Sequence, residues 1–443
     1  MPNKVALHTL GCKLNFSETS TIGNQFLSNG FEIVDFKDEA DVFVLNTCSV
    51  TENAEKECRQ IIRRALRKNP EAFVVVTGCY AQLRPDEIAK IEGVDLVLGS
   101  NEKFKLFSLV NNFDKKNLAC VFTSPTEQLI DFGHAFSTDA DSRTRAYLKI
   151  QDGCDYKCSF CTIPLARGGS RSMIPQNTIN AFKNLIDNGY KEVILTGVNV
   201  GDYGKNYETN LYSLLLKMID VPGDFRIRIS SIEPNLLTDE IIDLAASSEK
   251  LCNHFHIPLQ SGSREILRLM RRRYKLEYYE NLIYKLQNKI PDVGIGVDVI
   301  VGFPSETDEH FKETYKFLNN LPISYLHVFT YSERPNTKAI ELSGNVDVFE
   351  RKKRNNMLRI LSQKKRNYFY KSMLNNELNI LFESENKDNT IYGFSSNYVK
   401  VKSDFNNSLN NSFKKVKVQK FSSDYCEGEM VNSHNNSYEL LAS

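Results

Sequence analysis

Net charge is almost absent from this chain: 56 lysines and arginines stand against 55 aspartates and glutamates, a formal +1. Global charge therefore cannot carry a nucleic acid, and any polyanion would have to meet local basic patches. Long apolar runs are missing too. None reaches the roughly 20 residues that a spanning helix needs, so no membrane partner is expected. Residues 1–8, Met-Pro-Asn-Lys-Val-Ala-Leu-His, lack the pattern of an export signal and lead straight into a strand-like run. Ten cysteines in 443 residues are too sparse for a disulfide scaffold. Without an export signal they are expected to be reduced, in the cytoplasm, and available to metals. What is present is ordinary globular composition, 41% apolar and 25% charged, with room for roughly two to four domains.

The central cysteine stretch lacks a fourth ligand. Gly153-Cys154-Asp155-Tyr156-Lys157-Cys158-Ser159-Phe160-Cys161 places three thiolate donors close together. Cysteine sulfurs at short spacing hold iron–sulfur clusters. A structural zinc ion takes four ligands, and no fourth Cys or His lies in the run. Three ligands on a four-iron cluster leave one iron open to something other than protein. The spacing alone shows a three-thiolate metal loop, with a zinc knot or small buried residues as the plain alternatives.

Upstream, residues 5–10, 41–46 and 73–77 read as strands, with helices expected over 17–29 and 52–68 and Thr51 as the second helix's N-cap. Alternating strands and helices imply a parallel, two-sided sheet. Cys12, Cys48 and Cys79 each follow a strand. In an open parallel sheet those carboxyl ends share one edge, where ligands bind, so a second three-thiolate site follows without any local motif. Cys58 lies within the expected helix and would join a zinc site only if that helix turned it inward.

After a polar stretch at 131–145 come six more strand-like runs, at 147–151, 193–197, 226–230, 254–258, 296–301 and 325–329, separated by helical segments. Repeated βα units with right-handed crossovers imply a partial (β/α)6 barrel whose chemistry sits at the carboxyl ends of its strands. Those ends carry Thr196-Gly197-Val198-Asn199, Ser230-Ser231-Ile232-Glu233, Gln260-Ser261-Gly262, Val301-Gly302-Phe303-Pro304-Ser305 and Thr330-Tyr331-Ser332. Arg167 and Arg171 follow the cysteine loop, where an arginine meets an anion or lies solvated on the surface. Basic clusters stand at Arg268, Arg271, Arg272, Arg273 and Lys275, and again at Arg351–Arg354 and Lys364–Arg366. They favour a polyanion such as RNA over solvated helix faces. From about residue 371 the pattern changes to short alternating segments at 377–383, 390–394, 398–402 and 413–420. These suggest a small antiparallel β-barrel, with Lys400, Lys402, Lys414, Lys415, Lys417 and Lys420 forming a positive face.

The Cys154–Cys161 loop resembles the signature of the radical S-adenosylmethionine (SAM) superfamily. That resemblance implies a [4Fe–4S] cluster on Cys154, Cys158 and Cys161, with SAM chelated to its open iron and cleaved on reduction to a 5′-deoxyadenosyl radical. Gly11-Cys12-Lys13-Leu14-Asn15, Asn46-Thr47-Cys48-Ser49-Val50-Thr51 and Thr77-Gly78-Cys79-Tyr80-Ala81-Gln82 resemble the amino-terminal domain of the methylthiotransferases. There the three cysteines bind an auxiliary [4Fe–4S] cluster that carries or supplies sulfur. By the same resemblance Thr196, Gly197, Asn199, Ser230, Glu233, Gln260 and Gly302 are expected to bind the cofactor. Thr196-Gly197 would lie at the SAM amino group, and Gly302-Phe303-Pro304 against its adenine. The tail resembles the TRAM domain by position and size. The implied division is 1–125, linker 126–145, radical SAM core 146–370 and TRAM-like domain 371–443.

Together with Arg59-Gln60-Ile61-Ile62-Arg63-Arg64, these motifs look most like the branch that adds a methylthio group to C2 of N6-threonylcarbamoyladenosine at tRNA position 37 in ANN-decoding tRNAs. An aromatic C–H offers no acidic proton and no leaving group. The chemistry would therefore sit at the two clusters, with no acid–base side chain, and the protein would align them around a splayed-out anticodon-loop base. A reductant such as flavodoxin or ferredoxin and an unidentified sulfur donor are implied. The rivals are the same chemistry on isopentenyladenosine tRNA or on a ribosomal-protein aspartate, and a non-catalytic metal-containing RNA-binding protein. Phe16 and Gly168-Gly169 stand where more polar residues would be expected.

Overall fold

The computed structural model describes residues 3–48, 52–129, 132–137 and 144–431; Thr51, the expected helix cap, lies outside them. The amino-terminal unit is a six-stranded parallel sheet in the order β2-β1-β3-β4-β5-β6. Its strands are β1 (Lys4–Thr9), β2 (Glu32–Val34), β3 (Val42–Thr47), β4 (Phe73–Gly78), β5 (Leu96–Leu98) and β6 (Cys120–Phe122). Every residue of β3 and β4 is buried, as a strand covered on both faces requires. Their alternate side chains feed two cores. Phe43, Leu45, Val74 and Val76 enter one, while Val42, Val44, Phe73 and Val75 enter the other. Helices α1 (Lys13–Ser28) and α2 (Glu52–Lys68) flank the sheet, and the short α3 (Cys79–Leu83) follows β4. Sequence reading finds only β1, β3 and β4. The other three strands span three residues each, too short for a period of two to register.

Five further strands follow: β7 (Phe136–Ser137), β8 (Arg145–Lys149), the short antiparallel pair β9 (Gln151–Asp152) and β10 (Arg171–Ser172), and β11 (Glu192–Thr196). Part of the stretch read as a linker is thus a strand, β7, antiparallel to β8. β8 pairs in parallel with β11, and β11 with β12 (Arg226–Ile229). A second parallel sheet holds β13 (His254–His256), β14 (Gly294–Val301) and β15 (Tyr325–Thr330). One parallel bridge, Ile227 to Leu251, joins the two sheets. Together they form the expected partial barrel of six parallel strands, clothed by helices such as Pro175–Asp187 and Leu276–Lys289. Buried side chains like Phe182, Phe255 and Tyr279 fill the layer between strands and helices, each worth about 1.5–3 kcal/mol of burial. Helix α1 packs on β7 and β8, where the half-exposed Phe16 stands edge-on to Tyr147 at 5.7 Å.

The tail closes into a five-stranded barrel, β16 (Glu377–Lys387), β17 (Thr390–Ser395), β18 (Lys400–Asp404), β19 (Phe413–Phe421) and β20 (Cys426–Met430). β20 was not legible, because its Glu and Gly residues are poor strand formers. Pairing with β19 supplies what its composition does not, setting Glu427 opposite Lys420 and Glu429 opposite Lys417. The tail barrel docks on the amino-terminal ends of the large barrel's strands, opposite the mouth. Arg226 Nη2 donates to Phe394 O (2.8 Å), and Arg228 donates to Ser395 O and Ser396 O. Both guanidiniums pair with Glu192, which is fully buried.

Burial pushes the Glu192 carboxyl up, and Arg226 and Arg228 more than offset this, holding it well below the usual carboxylate range. A carboxylate depressed on folding stabilises fully above its unfolded pKa of about 4.3, and that contribution is lost as pH falls toward the folded value. Glu192→Gln should cost about 3–5 kcal/mol at pH 7, because two buried guanidiniums lose their partner. It should also flatten the fall in urea midpoint from about pH 5 to pH 3. Parallel midpoint–pH curves for wild type and variant would assign the acid sensitivity to other carboxylates.

Candidate functional site

Cys12, Cys48 and Cys79 follow the adjacent strands β1, β3 and β4. Thr47 and Gly78, the residues before Cys48 and Cys79, are register partners. Leu10 N donates to Asn46 O at 2.8 Å and ties the Cys12 turn to the same edge. Gly11 has φ +101°, and a Cβ there would stand 2.8 Å from Cys48 Sγ, so only glycine lets the two turns close. Asn15 braces both turns: its Nδ2 donates to Leu10 O (2.8 Å) and to Thr47 O (3.1 Å). Cys48 and Cys79 are buried, while Cys12 keeps solvent access at the start of α1 although dense protein surrounds it. Burial raises the Cys12 thiol pKa, and the Arg167 guanidinium works against that rise.

Arg167, from the loop after Cys161, reaches across to this edge. Its Nε donates to Cys79 Sγ at 3.3 Å and its Nη2 to Asn15 Oδ1 at 2.7 Å. Its two Nη groups grip Glu18 at 2.9 and 3.0 Å, and Nη1 also donates to Asp152 Oδ1 at 3.1 Å. One fully buried side chain thus touches a cysteine of the first trio, the asparagine that braces the other two, and the aspartate two residues before Cys154. Lys103 pairs with Glu18, Lys149 with Glu18 and Asp152, and Arg171 with Asp152. Burial presses the Lys103 ammonium down to about 8. Four cations face two carboxylates here, an arrangement suited to anionic sulfur nearby.

At the barrel mouth the cysteine loop turns through Gly153, whose φ is +69°. A Cβ there would lie 1.9 Å from Gly169 O, so this glycine and the Gly168-Gly169 pair permit a close backbone crossing. Gln151 Oε1 accepts from Asn199 N (2.7 Å) and Gln151 Nε2 donates to Gly153 O (2.8 Å), which couples the loop to the end of β11. Arg272 donates to Cys158 Sγ (3.3 Å) and to Glu233 Oε2 (2.5 Å). Burial pushes the Cys154 thiol up to about 11 and the Cys161 thiol up to about 12. Such thiols keep their protons until a soft cation displaces them.

The expected cofactor residues do not all gather in one place. Gln260 and Cys161 line a common cavity of about 230 Å³ with Phe160, Asp298, Ile300 and Thr330. Thr196 Oγ1 and both side-chain polar atoms of Asn199 are buried without a protein partner, which suits a polar ligand; Gly197 packs on Gln151. Ser230 N is tied to Leu195 O. Gly302 is outside that cavity's lining. Its N–H donates to Glu306 Oε1 at 2.8 Å, and a Cβ there would strike Arg351. Its neighbour Phe303 stands edge-on to Phe160.

Two of the basic clusters lose arginines to the interior, while Arg268, Arg271, Arg273, Lys275, Lys352 and Lys353 stay exposed. Arg272 is buried against Cys158, and Arg351 and Arg354 are buried in pairs with Glu333 and Glu306. A helix-face reading cannot see partners that come from other strands' loops. The buried ion network around Arg167 was likewise missed; Asp152, just before Gly153-Cys154, was its one local signal. Asp298 sits between His256 (2.8 Å) and His327 (3.4 Å) on the lumen side of β13, β14 and β15. Alternation of these polar residues with apolar ones along the strands was the available signal. Cys58 does face inward, into the apolar core beside Ile61 and Ile62.

Among the described residues, His256, Asp298 and His327 are the one trio of His, Cys, Asp or Glu whose ligand atoms all lie within 4.8 Å of one another. Neither cysteine trio is that tight. Sulfurs at about 2.3 Å from a single zinc ion sit about 4 Å apart, so neither trio is set for a single zinc ion.

Residues 148–318 match the Radical SAM superfamily, and residues 4–99 match Uncharacterized protein family UPF0004. The threonylcarbamoyladenosine tRNA methylthiotransferase MtaB of Bacillus subtilis (strain 168) is 40% identical over 433 residues, 96% of each chain. A tRNA-2-methylthio-N(6)-dimethylallyladenosine synthase of Clostridium novyi (strain NT) is 35% identical over 77% of this chain and 76% of its own. In fold, the radical S-adenosylmethionine methyltransferase TsrM from Kitasatospora setae superposes with a TM-score of 0.55 at 16% identity, over 76% of this chain and 77% of that one.

Proposed function

The chain belongs to the MtaB family of threonylcarbamoyladenosine tRNA methylthiotransferases, and from that premise we propose that it converts N6-threonylcarbamoyladenosine in tRNA to its 2-methylthio derivative. The observation that carries this reading is the pair of three-cysteine edges bridged by Arg167. A four-iron cluster on three thiolates keeps one iron for a non-protein ligand, and two such groups facing one gap are what sulfur insertion at an unactivated C–H requires. The dimethylallyl relative matches less of the chain at lower identity, which favours the threonylcarbamoyl substrate.

Cys154, Cys158 and Cys161 would hold the cluster that binds SAM, and Cys12, Cys48 and Cys79 the auxiliary one. When bound, these groups supply the radical and the sulfur. The protein's own part is alignment and electrostatics. Arg272 and Arg167 each bring a guanidinium to a ligating sulfur and offset its negative charge. Gln151 holds the cysteine loop against the end of β11, where the unpartnered atoms of Thr196 and Asn199 would meet SAM. Gln260 would meet it from the cavity beside Cys161, with Glu233, Ser230 and Gly197 framing the mouth. Residues 1–125, 146–370 and 371–443 would act as the auxiliary-cluster, radical SAM and TRAM-like domains. A low-potential donor such as flavodoxin or ferredoxin would deliver the electrons in the cytoplasm. No helix among the described residues is long and apolar enough to cross a membrane.

Mass analysis of tRNA nucleosides from cells lacking the protein tests the reading. The 2-methylthio form should vanish while threonylcarbamoyladenosine persists. An unchanged nucleoside profile would overturn it.

A further inference from the structure

Helix α2 carries Arg59, Arg63 and Arg67 at successive i, i+4 positions, with Arg64 beside them, and all four are exposed. Like charges at that spacing destabilise an isolated helix, so the folded chain by itself gains nothing from the pattern. The four arginines line a groove of about 1380 Å³ together with Lys90 and Lys116, against only two carboxylates, Glu71 and Glu92. Among the described residues no carboxylate pairs with Arg63, Arg64, Arg67 or Lys90, whereas Arg59 lies 3.8 Å from Glu87. Lys115, also in the groove, is committed to Asp95 and two carbonyls and is not counted. In a chain of formal charge +1, this is a local concentration of cation.

The groove has a direction. Arg59 Nη2 reaches the Tyr80 hydroxyl at 3.3 Å, one residue past Cys79. From that rim the arginines run about 12 Å along α2. They run away from the cysteines, toward the Pro70 and Gly93 turns that precede β4 and β5. About 12 Å of a nucleic-acid duplex presents about seven phosphate charges. The lysines of the tail barrel make a poorer track, since Lys417 and Lys420 stand opposite Glu429 and Glu427.

We propose that this arginine groove of the amino-terminal unit is the docking surface for the phosphate backbone of the substrate tRNA, which it tracks away from the modification site. The inference rests on the tRNA reading above. Arg63 and Arg67 contact backbone only, so they set affinity without touching the reacting base.

The test is the reconstituted holoenzyme with Arg63→Gln and Arg67→Gln together, two exposed changes that leave the core intact. Dissociation constants for full-length tRNA bearing threonylcarbamoyladenosine are measured across about 50–200 mM salt. The log–log salt slope should become shallower by about 1 per arginine, and binding at 0.1 M salt weaker by about tenfold to a hundredfold. Turnover at saturating tRNA, iron content and SAM cleavage should match wild type. An unchanged slope in a variant whose wild-type parent binds tRNA overturns the groove alone. A wild-type holoenzyme that does not bind tRNA overturns the groove together with the functional reading. Normal tRNA binding combined with lost modification in cells also overturns it, and points to a protein partner at this surface.

Discussion

Alanine at Cys12, Cys48 and Cys79 together is expected to lower the iron of the reconstituted protein from about eight atoms per chain to about four. It should abolish the methylthio product while SAM is still cleaved to 5′-deoxyadenosine. The three side chains occupy one edge of one sheet, next to none of the loop that carries Cys154, Cys158 and Cys161 in sequence, so the second trio keeps its own ligands. Alanine at Cys158 alone should remove cleavage and product together. Iron measured after anaerobic reconstitution, with 5′-deoxyadenosine quantified in the same samples, separates the two variants. If the triple variant keeps about eight irons, the amino-terminal trio is not a cluster site and the mechanism loses its sulfur-bearing half.

The second large effect is expected at Arg167. Arg167→Met should destabilise the chain by about 3–5 kcal/mol, because buried carboxylates lose their partner. Glu18 and Asp152 have no route to solvent. Both carboxyls are held well below the usual range: burial pushes them up, and the surrounding cations, Arg167 among them, more than offset it. Adding Glu18→Gln should recover part of the loss, with a coupling of about 0.5–3 kcal/mol between the two sites. The same variants should assemble less iron on the amino-terminal trio, since Arg167 also positions Asn15 and reaches Cys79. Urea unfolding measures the first effect and iron content the second. Strict additivity of the two substitutions would show that Arg167 and Glu18 do not act as one network.

Legibility followed distance along the chain. The Cys154–Cys161 loop is local, so the metal role proposed for it is legible in nine consecutive residues. The other trio was visible only by an argument about topology: three cysteines after three strands of a parallel sheet must share an edge. Registers such as Thr47 against Gly78 bear that argument out. By sequence Arg167 fits either an anion partner or a solvated surface arginine, and in the fold its side chain is buried in a network drawn from both α/β units. Arg351 and Arg354 went the other way, from a suspected RNA-binding patch to buried partners of acidic loop residues. Gly302 packs against Arg351 and hydrogen-bonds Glu306, and only its neighbour Phe303 reaches an aromatic of the cavity wall.

Residue order by itself determined the alternation of strands and helices, the six cysteines and their missing fourth ligands, and the change to short alternating strands at the tail. These depend on periodicity and on donor chemistry, which nearest neighbours in sequence set. Tertiary structure alone decided which charges are buried, that the tail barrel seals the end of the large barrel opposite its mouth, and that α2 presents a cationic groove beside the cysteine rim. A side chain's electrostatic state depends on the groups folding packs around it, and here most of those come from tens to hundreds of residues away.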